Sequence, residues 1–164
     1  MRDALRLVIA EAVPELRRHC RDPWHVIGSA AVRLAGADAT VADLDLLTSA
    51  ADADRLAEAW AARRESAYRP AGADRFRSRF GRYRFAAMPV EVMGALELDP
   101  GDGWQPVTVG EATIVRVDGI DVPVPTIAEQ IRILESFGRP KDLERAALLR
   151  ALDRDAAAEV TATS

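Results

Sequence analysis

A chain of 164 residues with 49% apolar residues is long enough to bury a substantial core and too apolar to remain disordered. No apolar run reaches the roughly 18 residues that a membrane helix needs, and a formal charge of −4 argues against a binder of extended duplex DNA. The single cysteine, Cys20, excludes an intrachain disulfide and a cysteine zinc centre, which points to the cytoplasm.

The first nineteen residues, MRDALRLVIAEAVPELRRH, have the basic start and apolar middle of a signal peptide. Glu11 and Glu15 interrupt that pattern and no small-residue cleavage site follows, so an amphipathic helix over residues 3–18 is expected. Pro14 inside it predicts a kink or an early end. Asp22-Pro23 is a turn signal, and the run from Trp24 to Ile27 reads as a strand. Ser29 is placed to cap a short helix from Ala30 to Leu34, which Gly36 closes. Asp43 to Thr48 alternates acidic and apolar residues at period two, the pattern of a strand.

Asp52 or Asp54 is expected to cap the next helix, whose apolar side holds Leu56, Ala59 and Trp60. Phe76, Ser78 and Phe80 then alternate with Arg75, Arg77 and Arg79, and Gly81 is read as a hairpin turn before Tyr83 and Phe85. Val90 to Met93 forms another strand, and Asp118-Gly119 predicts a hairpin after a loop. Two helices follow. Thr126 and Glu129 form a capping box for one, and the second begins after Gly138-Arg139-Pro140. These elements predict one domain over residues 1–154, with 155–164 a disordered tail.

The chemistry-bearing residues cluster in this pattern. Asp43 and Asp45 share one face of an apolar strand, where two carboxylates repel and lose hydration unless a cation compensates. Oxygen-only ligands suit magnesium or manganese. The competing reading has one aspartate in a turn and the other exposed at the strand end. Glu91 also projects from an apolar strand, and three carboxylates converge if the two strands are neighbours; otherwise an arginine pairs with it. Gly28 lets backbone approach a ligand, and Ser29 offers a hydroxyl with the first free amides of a helix, which suits phosphate. Lys141 is the only lysine among 22 basic residues. Its compact, mobile charge suits a phosphate, or it is an ordinary surface residue. The arginines crowded between Arg63 and Arg84 suit a bounded anionic ligand or a solvated strand face.

Gly28-Ser29, then Asp43-Leu44-Asp45, then the acid of PVEVM resemble the nucleotidyltransferase superfamily of the DNA polymerase beta type. VPVPTIAEQIRILESFGRPKDLERAALL resembles the closing helices of its small bacterial members, which include lincosamide and aminoglycoside nucleotidyltransferases and the nucleotidyltransferases of toxin–antitoxin pairs. The resemblance spans residues 20–150. It implies an α/β (α+β) fold with a mixed central β-sheet flanked by helices and with helices at the C-terminus. It further implies Asp43, Asp45 and Glu91 as catalytic residues and ligands of Mg²⁺ or Mn²⁺. Gly28, Ser29 and Lys141 would contact a nucleoside triphosphate, and Asp142 would steady the start of its helix.

The implied reaction moves NMP onto a hydroxyl acceptor and releases pyrophosphate. A small molecule such as an antibiotic leads the candidates, with Glu97, Asp99, Asp102 and Glu111 as an acidic wall for a cationic acceptor. A protein or a tRNA, reached through the Arg75–Arg84 segment, is the alternative. A nucleotide-binding or interaction module without catalysis is the third.

Overall fold

In the computed structural model, which describes residues 3–162, the period-3.6 apolar stripe at the N-terminus forms helix α1, Ala4–His19. Asp3 caps it by accepting from the Leu5 amide, and Leu5, Val8, Ile9, Ala12, Val13 and Leu16 are buried. Pro14 lies inside α1 without ending it. Strand β1, His25–Ile27, leads directly into the short helix α2, Gly28–Leu34, and strand β2 follows at Leu44–Thr48. Helix α3 spans Ala50–Ala59, and a 3₁₀ turn at Ala61–Arg63 leads towards β3, Phe76–Tyr83. The chain continues through β4, Val90–Leu98, and a two-residue strand β5, Gln105–Pro106. The hairpin β6, Ala112–Val117, and β7, Ile120–Pro125, precedes helices α4, Ile127–Phe137, and α5, Pro140–Ala162.

The main sheet has the order β1-β2-β4-β3, with β5 added on β4. β2 and β4 run parallel while the other pairs are antiparallel, so the sheet is mixed. β6 and β7 form a separate ribbon. Alternation along the strands divides the chemistry of the two faces. Val26, Leu44, Leu46, Tyr83, Val90 and Val92 point into one core with α1, Leu56, Trp60 and the ribbon. Ile27, Leu47, Leu96 and Leu98 belong to a second cluster with Ile133 and Phe137 of α4. The fold is the expected α/β arrangement of a mixed sheet with closing helices. Among the described residues no helix is long and apolar enough to cross a membrane.

Several local expectations are corrected. Ser29 does not cap α2: Ile27 occupies the cap position without a side-chain bond, and Ser29 is buried inside the first turn. Ser49, rather than Asp52 or Asp54, caps α3 by accepting from the Asp52 amide. Gly81 is no hairpin turn, because β3 passes straight through it opposite Val92, with the Tyr83 phenol lying over the space a side chain would need. Thr126 caps α4, but the other arm of the capping box goes elsewhere: Glu129 accepts from the Gly110 amide at 2.7 Å. Residues 155–162, expected as a disordered tail, continue α5 with their side chains exposed. Their alanine-rich composition favours helix without tertiary support. Asp118 and Gly119, with φ of 49° and 80°, form the expected hairpin turn.

Freed from capping, Asp52 pins the chain between α1 and β1. Its fully buried carboxylate accepts from the Arg21 amide at 3.0 Å, the Asp22 amide at 2.7 Å and Arg55 at 2.5 Å. Burial alone would raise its pKa, but these donors outweigh it and hold the group below the ordinary carboxylate value. A depressed folded-state pKa contributes stability above the unfolded value that is lost as pH falls through the folded one. Asp52→Ala should therefore cost about 3 kcal/mol in urea unfolding at neutral pH, and the difference from wild type should shrink below pH ~4.

Candidate active site

The parallel pairing of β2 with β4 sets Asp45 directly beside Glu91, and Asp43 lies one residue before β2. One carboxylate oxygen from each of Asp43, Asp45 and Glu91 lies within 4.8 Å of the others. The strands are neighbours, so the three carboxylates expected from the sequence do converge. Such crowding is electrostatically unfavourable. Burial, then Asp43 and Glu91, push the Asp45 carboxyl well above its usual value. Burial, then Asp43, push Glu91 up to about 7.

Arg82 partly offsets this charge. It faces Glu91 in the β3–β4 register, and its guanidinium donates to Glu91 Oε1, to Asp43 Oδ2 at 3.4 Å and to Glu65 Oε2 at 3.2 Å. The Tyr68 ring lies 4.4 Å from that guanidinium. Three carboxylates around one arginine still leave excess negative charge. Together with the all-oxygen donor set, that excess fits a hard divalent cation such as Mg²⁺ or Mn²⁺.

Gly28 is required here for two reasons. Its φ is +67°, and a Cβ at this position would sit 2.6 Å from Asp45 Oδ2. The same conformation turns the start of α2 so that Gly28 lines the site cavity while Ser29 points into the core. Of the Gly-Ser pair, only the glycine reaches the cavity wall.

That cavity, of about 420 Å³, brings the triad together with the first turn of α5. Lys141 lines it, as do Arg139 and Arg145. Asp142 organises this cationic corner: its fully buried carboxylate accepts from the Arg139 amide at 3.2 Å and from the Arg139 guanidinium at 2.6 and 3.1 Å. Lys141 and Arg145 are near enough to Asp45 to counter part of its upward shift. Glu97, Asp99, Asp102 and Glu111 do not line the cavity. Glu97 pairs with Arg77 at 3.0 Å, and Asp99 is used by the Gly101 and Gly103 amides.

Sequence reasoning missed Arg82, Tyr68, Arg139 and Arg145 as parts of the site. For Arg82 a signal existed. The alternation of Phe76, Ser78 and Phe80 extends by two residues to Arg82 on the same strand face, but a turn at Gly81 would have broken it. Nothing in the local sequence places Tyr68, which comes from the irregular segment between the 3₁₀ turn and β3.

Arg82 offsets charge that a cation would also offset, so the two should substitute for one another in part. Arg82→Ala is expected to lower the melting temperature in EDTA by roughly 5 °C, a loss of about 2 kcal/mol. Magnesium should raise the melting temperature of the variant more than that of wild type. Equal magnesium shifts in thermal scans would remove Arg82 from this role.

No protein-family model and no curated protein sequence matches the chain. Solved structures do. A nucleotidyltransferase candidate from Thermotoga maritima matches with a TM-score of 0.71 and 22% identity, over 94% of this chain and 96% of that one. The lincosamide antibiotic adenylyltransferase LnuA, solved with lincomycin bound, matches with a TM-score of 0.57 and 9% identity, over 92% and 97% of the two chains. The antibiotic-resistance factor ANT(2'')-Ia matches with a TM-score of 0.51 and 13% identity, over 98% and 95%. At these identities the likeness is one of fold, and it extends over nearly the full length of each protein. The chain has the nucleotidyltransferase fold.

Proposed function

We propose that the protein is a metal-dependent nucleotidyltransferase that moves NMP from a nucleoside triphosphate to a hydroxyl group of a small molecule. The observation that carries this reading is the meeting of three carboxylates and a cationic helix start in one cavity. A triad for a cation and a corner for polyphosphate are the two halves that nucleotidyl transfer requires. An interaction module without catalysis has no need of the electrostatic cost that Asp45 and Glu91 bear.

Asp43, Asp45 and Glu91 would hold Mg²⁺ or Mn²⁺, which when bound neutralises charge on the phosphate oxygens. Lys141 and Arg145 bind the triphosphate, and Gly28 keeps the wall beside Asp45 free of side-chain atoms. The acceptor oxygen forms a bond to the α-phosphorus as the bond to the leaving pyrophosphate breaks. A Glu91 carboxylate oxygen takes the hydroxyl proton. Arg82 holds Glu91 in place for this transfer. The cytoplasm supplies both magnesium and nucleoside triphosphates.

A small acceptor is favoured over tRNA or protein because the cavity beside the triad is walled by the apolar side chains of Phe76, Phe80, Met93 and Leu96. The arginines of β3, moreover, do not form a free basic face: Arg77 pairs with Glu97, Arg79 with Asp54, and Arg82 with the triad. The lincosamide specificity of LnuA and the resistance role of ANT(2'')-Ia make an antibiotic-like acceptor the first to try.

The test incubates the protein with each labelled triphosphate, magnesium and a panel of hydroxylated antibiotics, and seeks an added NMP by mass spectrometry. Asp45→Asn separates catalysis from folding. It removes a buried like charge, so the melting temperature in EDTA should hold or rise, while transfer falls by at least roughly 10²-fold. Near-normal transfer by Asp45→Asn or Asp43→Ala would exclude the assignment.

A further inference from the structure

The sheet face that carries the triad continues beyond it as an apolar track. Phe76, Ser78, Phe80 and Arg82 share one face of β3. The register sets Phe80 beside Met93, next to the Arg82–Glu91 pair. Further along, Arg79 pairs with Gly94 but Arg77 with Glu97, so β4 carries one extra residue, and Ala95 there has a φ of +50°. This bulge returns Leu96 to the cavity side. Tyr68 roofs the track, its ring stacked on Phe80 with centroids 5.8 Å apart and planes 27° apart.

Strand order separates the two reactants. Gly28 follows β1 at one edge, Asp45 and Glu91 occupy the two central strands, and the track lies on β3 at the other edge. In-line displacement needs the attacking hydroxyl and the leaving pyrophosphate on opposite sides of the phosphorus. With polyphosphate held at Gly28, Lys141 and Arg145, the acceptor must reach Glu91 from the β3 side and rest on the track.

Charge then limits what the track accepts. Among the described residues the acids lining the cavity are Asp43, Asp45, Glu91 and Asp142. The first three form the cation site, and Arg139 occupies the fourth. At the rim Arg77 is paired with Glu97 and stacked 4.3 Å from the Trp104 ring. A polycation would find no carboxylate free to pair with it, whereas an apolar ring or chain would gain contact area.

Resting on the nucleotidyl-transfer reading above, we infer that the acceptor is an uncharged alcohol with an apolar, ring-bearing body that lies against Phe76, Met93 and the side of the stacked Phe80–Tyr68 pair. Polycationic aminoglycosides are poor substrates for this site.

The experiment compares chloramphenicol and other uncharged aryl alcohols with kanamycin as acceptors, and measures acceptor binding by calorimetry on protein loaded with a non-hydrolysable triphosphate and magnesium. Uncharged aryl alcohols should be preferred in kcat/KM by tenfold or more. Phe80→Ala should raise the acceptor KM about tenfold and leave triphosphate affinity within twofold of wild type. Phe80→Leu, which keeps apolar volume, should give a smaller rise, and both variants are first checked for a wild-type melting curve. Preference for kanamycin would overturn the inference and leave nucleotidyl transfer standing. Loss of triphosphate affinity in Phe80→Ala would overturn it as well, since the track would then hold the base. Absence of binding to every uncharged aryl alcohol would also overturn it. Failure of wild type to bind any triphosphate or transfer NMP to any acceptor would instead remove the transfer reading, and the acceptor inference with it.

Discussion

Three carboxylates held on one sheet face at the junction of two parallel strands are the constraint around which the molecule is arranged. Asp43, Asp45 and Glu91 cannot all ionise in a buried setting without compensation, and the fold does not separate them. It supplies a guanidinium from the neighbouring strand instead. Arg82 is itself tied to Glu65 and covered by Tyr68, so a single residue links β3, β4, the start of β2 and the segment before β3. That linkage leaves the three carboxylates short of full compensation, an all-oxygen cluster that could take further positive charge.

The rest of the sheet makes this concentration of charge tolerable. On its opposite face Val26, Leu44, Leu46, Tyr83, Val90 and Val92 pack against α1, Trp60 and the β6–β7 ribbon, so the strands bearing the acids are held by packing and not by the acids themselves. Gly28 allows the α2 backbone to approach Asp45 where any side chain would collide. The start of α5 is organised by the buried Asp142–Arg139 pair, which fixes where Lys141 and Arg145 emerge. The cavity is consequently bipolar, with acids on the strands and bases on the helix start, and its remaining wall is apolar.

This division also explains why the basic run in the middle of the chain is less available than its composition suggests. Arg77 and Arg79 are drawn to Glu97 and Asp54, and Arg75 donates to the carbonyl of Phe137. These pairs act within the molecule, tying β3 to β4, α3 and α4. The long helix α5 contributes little to the core beyond Asp142, Ala146 and Leu149. Its first turn lines the cavity, and the side chains of its last described residues are exposed.

Much of this was legible in the sequence because it depends on local periodicity. The α1 stripe, the Asp118-Gly119 turn and the Thr126 cap each follow from residues a few positions apart and appear where the pattern puts them, and the strand expected from Asp43 begins one residue later, at Leu44. The site residues Asp43, Asp45 and Glu91 could be nominated, since a carboxylate on an apolar strand is anomalous by itself. Their convergence could not. It depends on β4 pairing parallel to β2 in a register that aligns Asp45 with Glu91, a contact between segments 46 residues apart (91 − 45). Ser29, Asp52 and Gly81 take roles other than those the local sequence suggests for a related reason. A capping side chain or a glycine suits several local conformations equally well, and only tertiary packing selects one. The sequence by itself determined the elements and the anomalous charges; tertiary structure alone decided which charges meet, because burial and long-range register are properties of the assembled sheet and not of any segment in it.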